Sequence, residues 1–319
     1  HMSFGALSRE AKIALARGSK RAGTAMCSGE GGLLPEERAE AGVYIYEIGT
    51  APFSWREEAV RQADAVEIKI GQAAKPGLGG HLPQAKITDE IAAIRGIPRD
   101  RDAISPGRPF HLERPEDLAA TVAQLREWAD GRPVGVKVAA CHIEEALAAA
   151  LAAEPDFITV DCRGAGPGAG PFFVKDTTAL PPVYAVHRAR RFLDQAGSRV
   201  TLCVTGGFRD SADIAKAIAL GADAVALATA SLIAIGCQQY RVCQTGKCPV
   251  GITTHDPALR ARLDVEQSAR RFANFAAVLR HELEAFARIN GRADIHDLSR
   301  SDLVTTCEDI ANHAGIEHA

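Results

Sequence analysis

Two hydrophobic periods alternate along the second half of this chain. PEDLAATVAQLREWADG (115–131), HIEEALAAALAAEP (142–155), ALPPVYAVHRARRFLDQAG (179–197) and SADIAKAIALG (211–221) carry apolar residues three and four apart, the spacing of one helix face. Between them stand short apolar runs, PVGVKVAA (133–140), DFITVD (156–161), RVTLCVT (199–205) and ADAVALAT (222–229), which read as strands. Gly131 and Pro155 close the first two helices, and Ser211 is the expected cap of the fourth.

The first half is less regular. SFGALS (3–8) reads as a short strand or turn, and Ser8 as the cap of an amphipathic helix through Gly18 with Glu10 in its first turn. TAMCSGEGG (24–32) reads as a strand breaking into a glycine-rich loop. Further strands are expected at 43–48 and 65–70, with a helix at 55–62. The loop at 71–83 holds four glycines and two prolines, a composition and length that suit a functional loop. Beyond Thr254 the pattern becomes one long helical stretch, 256–290. Its stripe of Phe272, Phe275, Leu279, Leu283 and Phe286 is expected to pack against the preceding fold, and a short helical tail follows.

Strands that alternate with helices form βα units and a parallel sheet. Seven or eight units over about 235 residues favour a closed (β/α)8 barrel of the TIM type over an open doubly wound sheet. The expected organisation is a barrel over 1–255 and a helical extension over 256–319. Every glycine-rich loop named above follows a strand, so a barrel gathers them on one face.

Composition narrows the class. A hydrophobic content of 46%, a charged content of 24% and a net charge of −3 describe an ordinary globular protein, not a nucleic-acid binder. No apolar run reaches the roughly 18 residues of a membrane span, and no signal peptide opens the chain, so a cytoplasmic protein is expected. His1-Met2 reads as a cloning remnant. The eight cysteines read as thiols or metal ligands, not a disulfide framework.

Two stretches carry chemistry. TGG (205–207) follows one strand, and ATAS (228–231) follows the next and opens a helix. Adjacent βα loops of this kind hold phosphate through backbone amides, although two ordinary turns would carry the same residues. Cys237, Cys243 and Cys248, with Pro249 after the last, lie within 12 residues, close enough to wrap one cluster from a single loop. Zinc commonly takes four ligands with paired spacing, absent here, whereas three ligands suit a three-iron cluster. Lys137 stands inside an otherwise apolar strand, where burial demands an anionic partner.

GCQQYRVCQTGKCPVG (236–251), with TGG upstream, resembles the FMN- and cluster-binding region of the glutamate synthase synthase domain. SFGALS (3–8), SGEGG (28–32), KIGQAAKPGLGGHLP (69–83), ISP (104–106) and VGVKV (134–138) are similar to that family's motifs in the same order. The tail after Cys248 is most similar to a short, stand-alone branch that includes N-methylglutamate synthase subunits. The resemblance implies a (β/α)8 barrel with FMN at its C-terminal face and a 3Fe-4S cluster on the three cysteines. It implies reduction of 2-iminoglutarate, formed from 2-oxoglutarate and ammonia, by hydride from flavin N5.

By position in the motifs, Lys75 and Arg95 would hold the dicarboxylate, with Glu30 and His81 in further substrate loops and Glu30 catalytic. His81 departs from the glutamine of many members. Lys137 would support the reduced flavin. Gly5, Ala6, Ser28, Gln72, Gly164, Gly166, Gly206, Gly207, Ala228, Thr229 and Ala230 would contact FMN. The loop CRGAGPGAGP departs from the family, with Ala165 and Pro167 before Gly168, and proline removes a backbone donor. Ala73 and Cys27 are further departures.

No amidotransferase segment and no dinucleotide-binding GxGxxG are present, so separate amidotransferase-like and electron-donor subunits in an oligomer are expected. The chain opens abruptly at SFGALS. It reads as a shortened chain or a minimal subunit, its early barrel incomplete or completed by a partner. Two rival readings are N-methylglutamate synthase, with methylamine as the amine, and a cofactor-poor structural or regulatory subunit.

Overall fold

Ser8 accepts a hydrogen bond from the Ala11 amide and so starts the first helix, α1 (Arg9–Ala22), which Gly23 ends in the left-handed conformation. The helix runs four residues past Gly18. The computed structural model describes residues 1–114, 116–164, 166 and 170–319. Ala165, Pro167 and Gly168, on which the altered flavin loop turns, lie outside the described residues. The chain continues through β1 (Ala25–Cys27), α2 (Pro35–Glu40), β2 (Val43–Ile48), α3 (Glu57–Gln62) and β3 (Ala65–Lys69). A two-strand hairpin of β4 (His81–Leu82) and β5 (Ala103–Ile104) encloses α4 (Asp89–Arg95). The βα units then resume as α5 (Asp117–Trp128), β6 (Val134–Ala139), α6 (Ile143–Leu151), β7 (Phe157–Asp161), α7 (Phe172–Thr177), α8 (Pro182–Gln195), β8 (Thr201–Thr205), α9 (Ser211–Ala219), β9 (Ala224–Ala226) and α10 (Thr229–Ala234).

Seven strands form one sheet in the order β1-β2-β3-β6-β7-β8-β9, and every neighbouring pair is parallel. Strand order follows chain order without reversal. That is the topology of a TIM-type barrel; a doubly wound sheet would reverse at a switch point. Among the described residues no ladder joins β9 to β1, and an eighth strand of this sheet is not found.

The helix-facing strand residues, among them Ile48, Ile68, Val136, Ile158, Val160 and Val204, share one core with Leu15, Val60, Leu125, Leu147 and Leu193 of the helices. Burial of these aliphatic faces is the main favourable term in the fold.

The Ser211 cap is corrected by one residue. Asp210 caps α9 by accepting from the Asp213 amide, because its extended backbone stands one residue ahead of the first turn and its carboxylate reaches that free N–H. Ser211 instead donates to Glu282 at 2.6 Å. The long helical stretch also divides, into α11 (Pro257–Arg260) and α12 (Val265–Ile289), since Asp264 caps a new start on the Gln267 amide.

The expected apolar stripe of α12 is used twice. Phe272 lies against Gly18 of α1, and Leu279 with Leu283 packs on Ile214 and Ile218 of α9. The tail ends in α13 (Glu308–Ala314) and a short parallel pair, β10 (Val304–Thr305) and β11 (Glu317–His318). No described helix is long and apolar enough to cross a membrane.

Glycine in a helix interior costs about 1 kcal/mol relative to alanine, so Gly18 needs a packing reason. A Cβ there would sit 2.9 Å from the Phe272 ring and 3.0 Å from the Ala269 carbonyl. Gly18→Leu is expected to push α12 from α1 and destabilise the protein by about 1–3 kcal/mol in urea unfolding. An unchanged midpoint would show that the two helices are not in contact.

Candidate active site at the C-terminal ends of the strands

Charged and polar side chains sit on alternate positions of the middle strands, opposite the apolar core face. Glu47 of β2 and Glu67 of β3 are register partners, and Lys69 of β3 pairs with Lys137 of β6. Lys137 and the two glutamates are each no more than 2% exposed. The Lys137 ammonium contacts Glu47 and lies 3.5 Å from Glu67. The anionic partner that burial of Lys137 demands is therefore in the chain itself, on the adjacent strand β3 and on β2 beyond it. Burial alone would lower the Lys137 pKa, but the two carboxylates raise it well above the ordinary lysine value. Burial alone would raise Glu47, yet Lys137 and Lys69 hold it down to about 2.

Thr159 of β7 donates to Glu67 at 2.5 Å, and Asp161 one turn of the pleat further on accepts from the Ala73 amide at 3.1 Å. Among the described residues, one group of His, Cys, Asp and Glu has its ligand atoms within 4.8 Å of one another: His1, Cys27, Glu47 and Glu67. Lys137 already supplies the cation there. The His1 imidazole inserts beside it, 2.5 Å from Glu67.

Next to this cluster the loops after β1, β2 and β3 form a cleft lined by Glu30, Thr50, Lys69, Gln72, Lys75 and a glycine-rich wall from 77 to 80. Lys69 Nζ lies 3.2 Å from Glu30. Burial would raise the Glu30 pKa, but Lys69 and Lys75 together hold Glu30 below the usual range. Lys75 donates to the Gly79 carbonyl at 3.0 Å. Burial pushes its ammonium toward lower pKa, only partly opposed by Glu30.

The structure thus brings Glu30, Gln72 and Lys75 together. It sets Arg95 and His81 apart from them. Arg95 is buried and donates to the Phe4 carbonyl and to Ser3 Oγ, its guanidinium close against Gly5. Burial lowers its pKa to about 10. His81 stands on the exposed β4 hairpin with its Nε2 2.6 Å from Asp102.

Lys69, Glu47, Glu67 and Asp161 were missed in the sequence. The signal was there: each is a charged residue on the same period-2 face that singled out Lys137.

A second region lies across the same face. Gly206 and Gly207 both have positive φ, and a Cβ on Gly206 would collide with the Cys162 carbonyl. A Cβ on Gly207 would meet Gly164 at 3.2 Å, so the loops after β7 and β8 touch. Among the described residues the Gly206 and Gly207 amides donate to no protein acceptor. Thr205 pairs with Ala226, which brings Ala228, exposed Thr229 and buried Ala230 alongside them. Gly166 packs against Ala74 and Lys175, Ser28 is buried under the first loop, and Ala6 is exposed. Free amides on a tight turn fit the phosphate end of a nucleotide cofactor.

The cysteine loop follows α10. Burial pushes the Cys237 thiol up, the Gln239 amide partly offsets this, and Cys243 and Cys248 raise it again through their charge. Cys248 is buried, which alone would raise its pKa. The Thr253, Val250 and Ile252 amides hold it below the usual thiol value instead. A thiolate stabilised by backbone N–H groups fits a metal-ligating cysteine. The three thiols are more widely spread than ligands of a single ion. Lys86, just beyond β4, donates to the Cys243 carbonyl at 3.0 Å and ties this loop to the β4–β5 hairpin.

A parallel TIM-type barrel with a lysine-lined cleft, a glycine turn of free amides and a cysteine loop on one face is the architecture of an oxidoreductase class. The family model described as the conserved region in glutamate synthase matches residues 1–293, and the chain belongs to that family. It is 41% identical over 304 residues to the archaeal glutamate synthase [NADPH] of Methanocaldococcus jannaschii, covering 93% of this chain and 59% of that protein. It is 42% identical over 287 residues to the archaeal-type enzyme of Thermotoga maritima, covering 89% and 57%. The chain thus spans less than two thirds of the length of these relatives. A glutamate synthase large subunit-like protein of Rhizobium meliloti is 37% identical over 321 residues, covering 95% and 73%. Among solved structures, (S)-mandelate dehydrogenase superposes with a TM-score of 0.59 at 16% identity, covering 91% of this chain and 74% of that one. The flavin-binding domain of baker's yeast flavocytochrome b2 gives 0.57 at 16%, covering 91% and 64%.

Lys137→Met leaves Glu47 and Glu67 buried without the lysine they share, with only His1 and Lys69 to offset them, and is expected to cost about 3–5 kcal/mol at pH 7. The pH response should also invert. In the wild type both glutamates are lowered, so their stabilisation is present above the unfolded value near 4.5 and is lost as pH falls toward 2. In the variant the paired carboxylates are raised, and stability rises as pH falls from 7 toward 5. Urea midpoints across that range read both effects, and parallel pH curves for the two proteins would refute the assignment.

Proposed function

We propose that this chain is the flavin- and cluster-bearing reductive part of a glutamate synthase, converting 2-iminoglutarate to glutamate. The observation that carries the reading is the Glu30–Lys69–Lys75 cleft at the strand ends. It stands beside a glycine turn with free amides, in a fold shared with the flavin-binding domain of flavocytochrome b2. When bound, FMN supplies a hydride and the cluster single electrons.

The chain's own residues do the rest. Gly206, Gly207 and the start of α10 would hold the phosphate, and the Gly164 and Gly166 loop, with Gly5, Ala6, Ser28 and Gln72, would flank the remainder of the cofactor. Cys237, Cys243 and Cys248 would ligate a 3Fe-4S cluster. Lys69 and Lys75 give the cleft the positive charge a dicarboxylate needs, and Glu30 holds Lys69 in place until substrate competes for it. Hydride addition at the imine carbon leaves the nitrogen needing one proton. Lys75, made more acidic by burial, is the cleft residue suited to give it. Lys137, fixed between Glu47 and Glu67, keeps one cation below the site. Arg95 acts through the Phe4 carbonyl and shapes the Gly5 turn. Amine and electrons come from separate chains, in keeping with the large subunit-like name of the Rhizobium relative.

Protein purified without oxygen should quench FMN fluorescence at micromolar concentration and carry iron, and Cys248→Ser should lower the iron content with flavin retained. Lys69→Met should weaken 2-oxoglutarate binding about tenfold, the loss expected for one charge-assisted hydrogen bond of about 1.5 kcal/mol. No flavin quenching and no iron would overturn the reading. Feeding ammonia and methylamine in parallel decides which amine is used.

A further inference from the structure

A lysine lies buried outside the cleft. Lys12 of α1 and Glu37 of α2 are both fully buried, with Lys12 Nζ 2.9 Å from Glu37 Oε1. Neither Glu37 oxygen has a hydrogen-bond partner among the described residues, so this contact is charge pairing without hydrogen-bond alignment. The Lys12 ammonium directs its protons elsewhere, to the Ser28 carbonyl at 2.8 Å and the Met2 carbonyl at 2.5 Å.

Ser28 is held on every side. Its amide donates to Ile45 and its hydroxyl accepts from the Glu47 amide at 2.9 Å. Two residues on stands Glu30, in the cleft against Lys69. The intervening turn lies flat on the first residues: a Cβ on Gly29 would sit 2.5 Å from the Ser3 amide, and one on Gly31 2.6 Å from the Phe4 carbonyl.

We propose that Lys12 is the positioning residue of the Ser28–Glu30 loop, fixing the Ser28 carbonyl so that Glu30 meets Lys69, with Glu37 as its buried counter-charge. Ammonium donation to a main-chain carbonyl fixes the loop backbone directly, which an apolar side chain of the same length would not do. Burying the lysine requires a charge partner, and Glu37 provides it at the cost of its own solvation. That cost appears as a Glu37 pKa raised by burial to about 7, against the opposing pull of Lys12. Lys12 is the ionisable group paired with Glu37, and the buried Tyr44 hydroxyl is the further titratable group that feels the Glu37 charge. The reading of Glu30 as a site residue rests on the function proposed above, whereas the hold on the loop does not.

The test separates the two. Hydrogen–deuterium exchange of the 28–32 amides reports the loop, and 2-oxoglutarate binding reports the cleft. Lys12→Met with Glu37→Gln removes both charges and strands neither. It should raise exchange at 29–31 about tenfold or more and weaken 2-oxoglutarate binding, with far smaller changes in exchange elsewhere. Lys12→Arg should recover most of the protection.

Unchanged loop exchange in the folded double variant would overturn the proposal. So would loss of protection spread evenly over α1 and the sheet, since that marks a merely structural pair. Loosened loop exchange in a protein whose wild type binds no 2-oxoglutarate would uphold Lys12 and sink the functional reading instead.

Discussion

The structure turns on a lysine shared by two glutamates inside a parallel sheet. Lys137 on β6 contacts Glu47 on β2 and sits near Glu67 on β3, and these three strands are successive neighbours. A slip of one residue in any of them would carry its charge to the helix face, among Ile48, Ile68 and Val136, where no partner waits. The cluster therefore fixes register from inside, as the aliphatic core fixes it from outside. It also explains how polar side chains can occupy a barrel interior: Lys137 pairs with both glutamates, and Thr159 and the Ala73 amide extend the pairing toward β7.

Register then places the loops. Because β1, β2 and β3 are parallel, the loops after them open on one face, and Glu30 from the loop after β1 meets Lys69 and Lys75 from the end of β3 and its loop. Their holders are main-chain carbonyls and buried cations more than side-chain packing. Lys12 grips Ser28, Arg95 grips Phe4, and Lys75 itself grips Gly79. The opposite half of the face uses backbone geometry alone, through the Gly206–Gly207 turn against Cys162 and Gly164. One half of the site is built of charge and the other of glycine.

Much of this was legible in the sequence. The βα alternation, the parallel sheet and the order of the glycine loops follow from periodicity, because each βα unit is a local structure with its own start and stop signals. The errors were of two kinds. Asp210 displaced Ser211 as a cap, and Asp264 split the long helix, both through side chains competing within a few residues of an element end. The buried ion pairs failed for a different reason. Lys12 with Glu37 and Lys137 with Glu47 are 25 and 90 positions apart, and a charge on a strand or helix does not announce its partner across that distance. Lys137 looked unpaired only because its partners could not be seen.

The pairing also decides where a ligand can act. The inner cluster sets Lys137 and the His1 imidazole against Glu47 and Glu67, so its cations are already matched and none is left over for an anion. The cleft beside it counts two lysines, 69 and 75, against the single carboxylate of Glu30, leaving one positive charge in excess. A cleft with positive charge in excess over a charge-matched floor favours an anion at the strand ends, and the attraction is strongest where water is excluded. Glu30 sets that balance: held 3.2 Å from Lys69, it neutralises part of the cleft's charge. The loop that carries Glu30 thus needs a fixed anchor, since a carboxylate free to swing would leave the excess charge undefined. The buried Lys12, bound to that loop two residues from Glu30, meets that need.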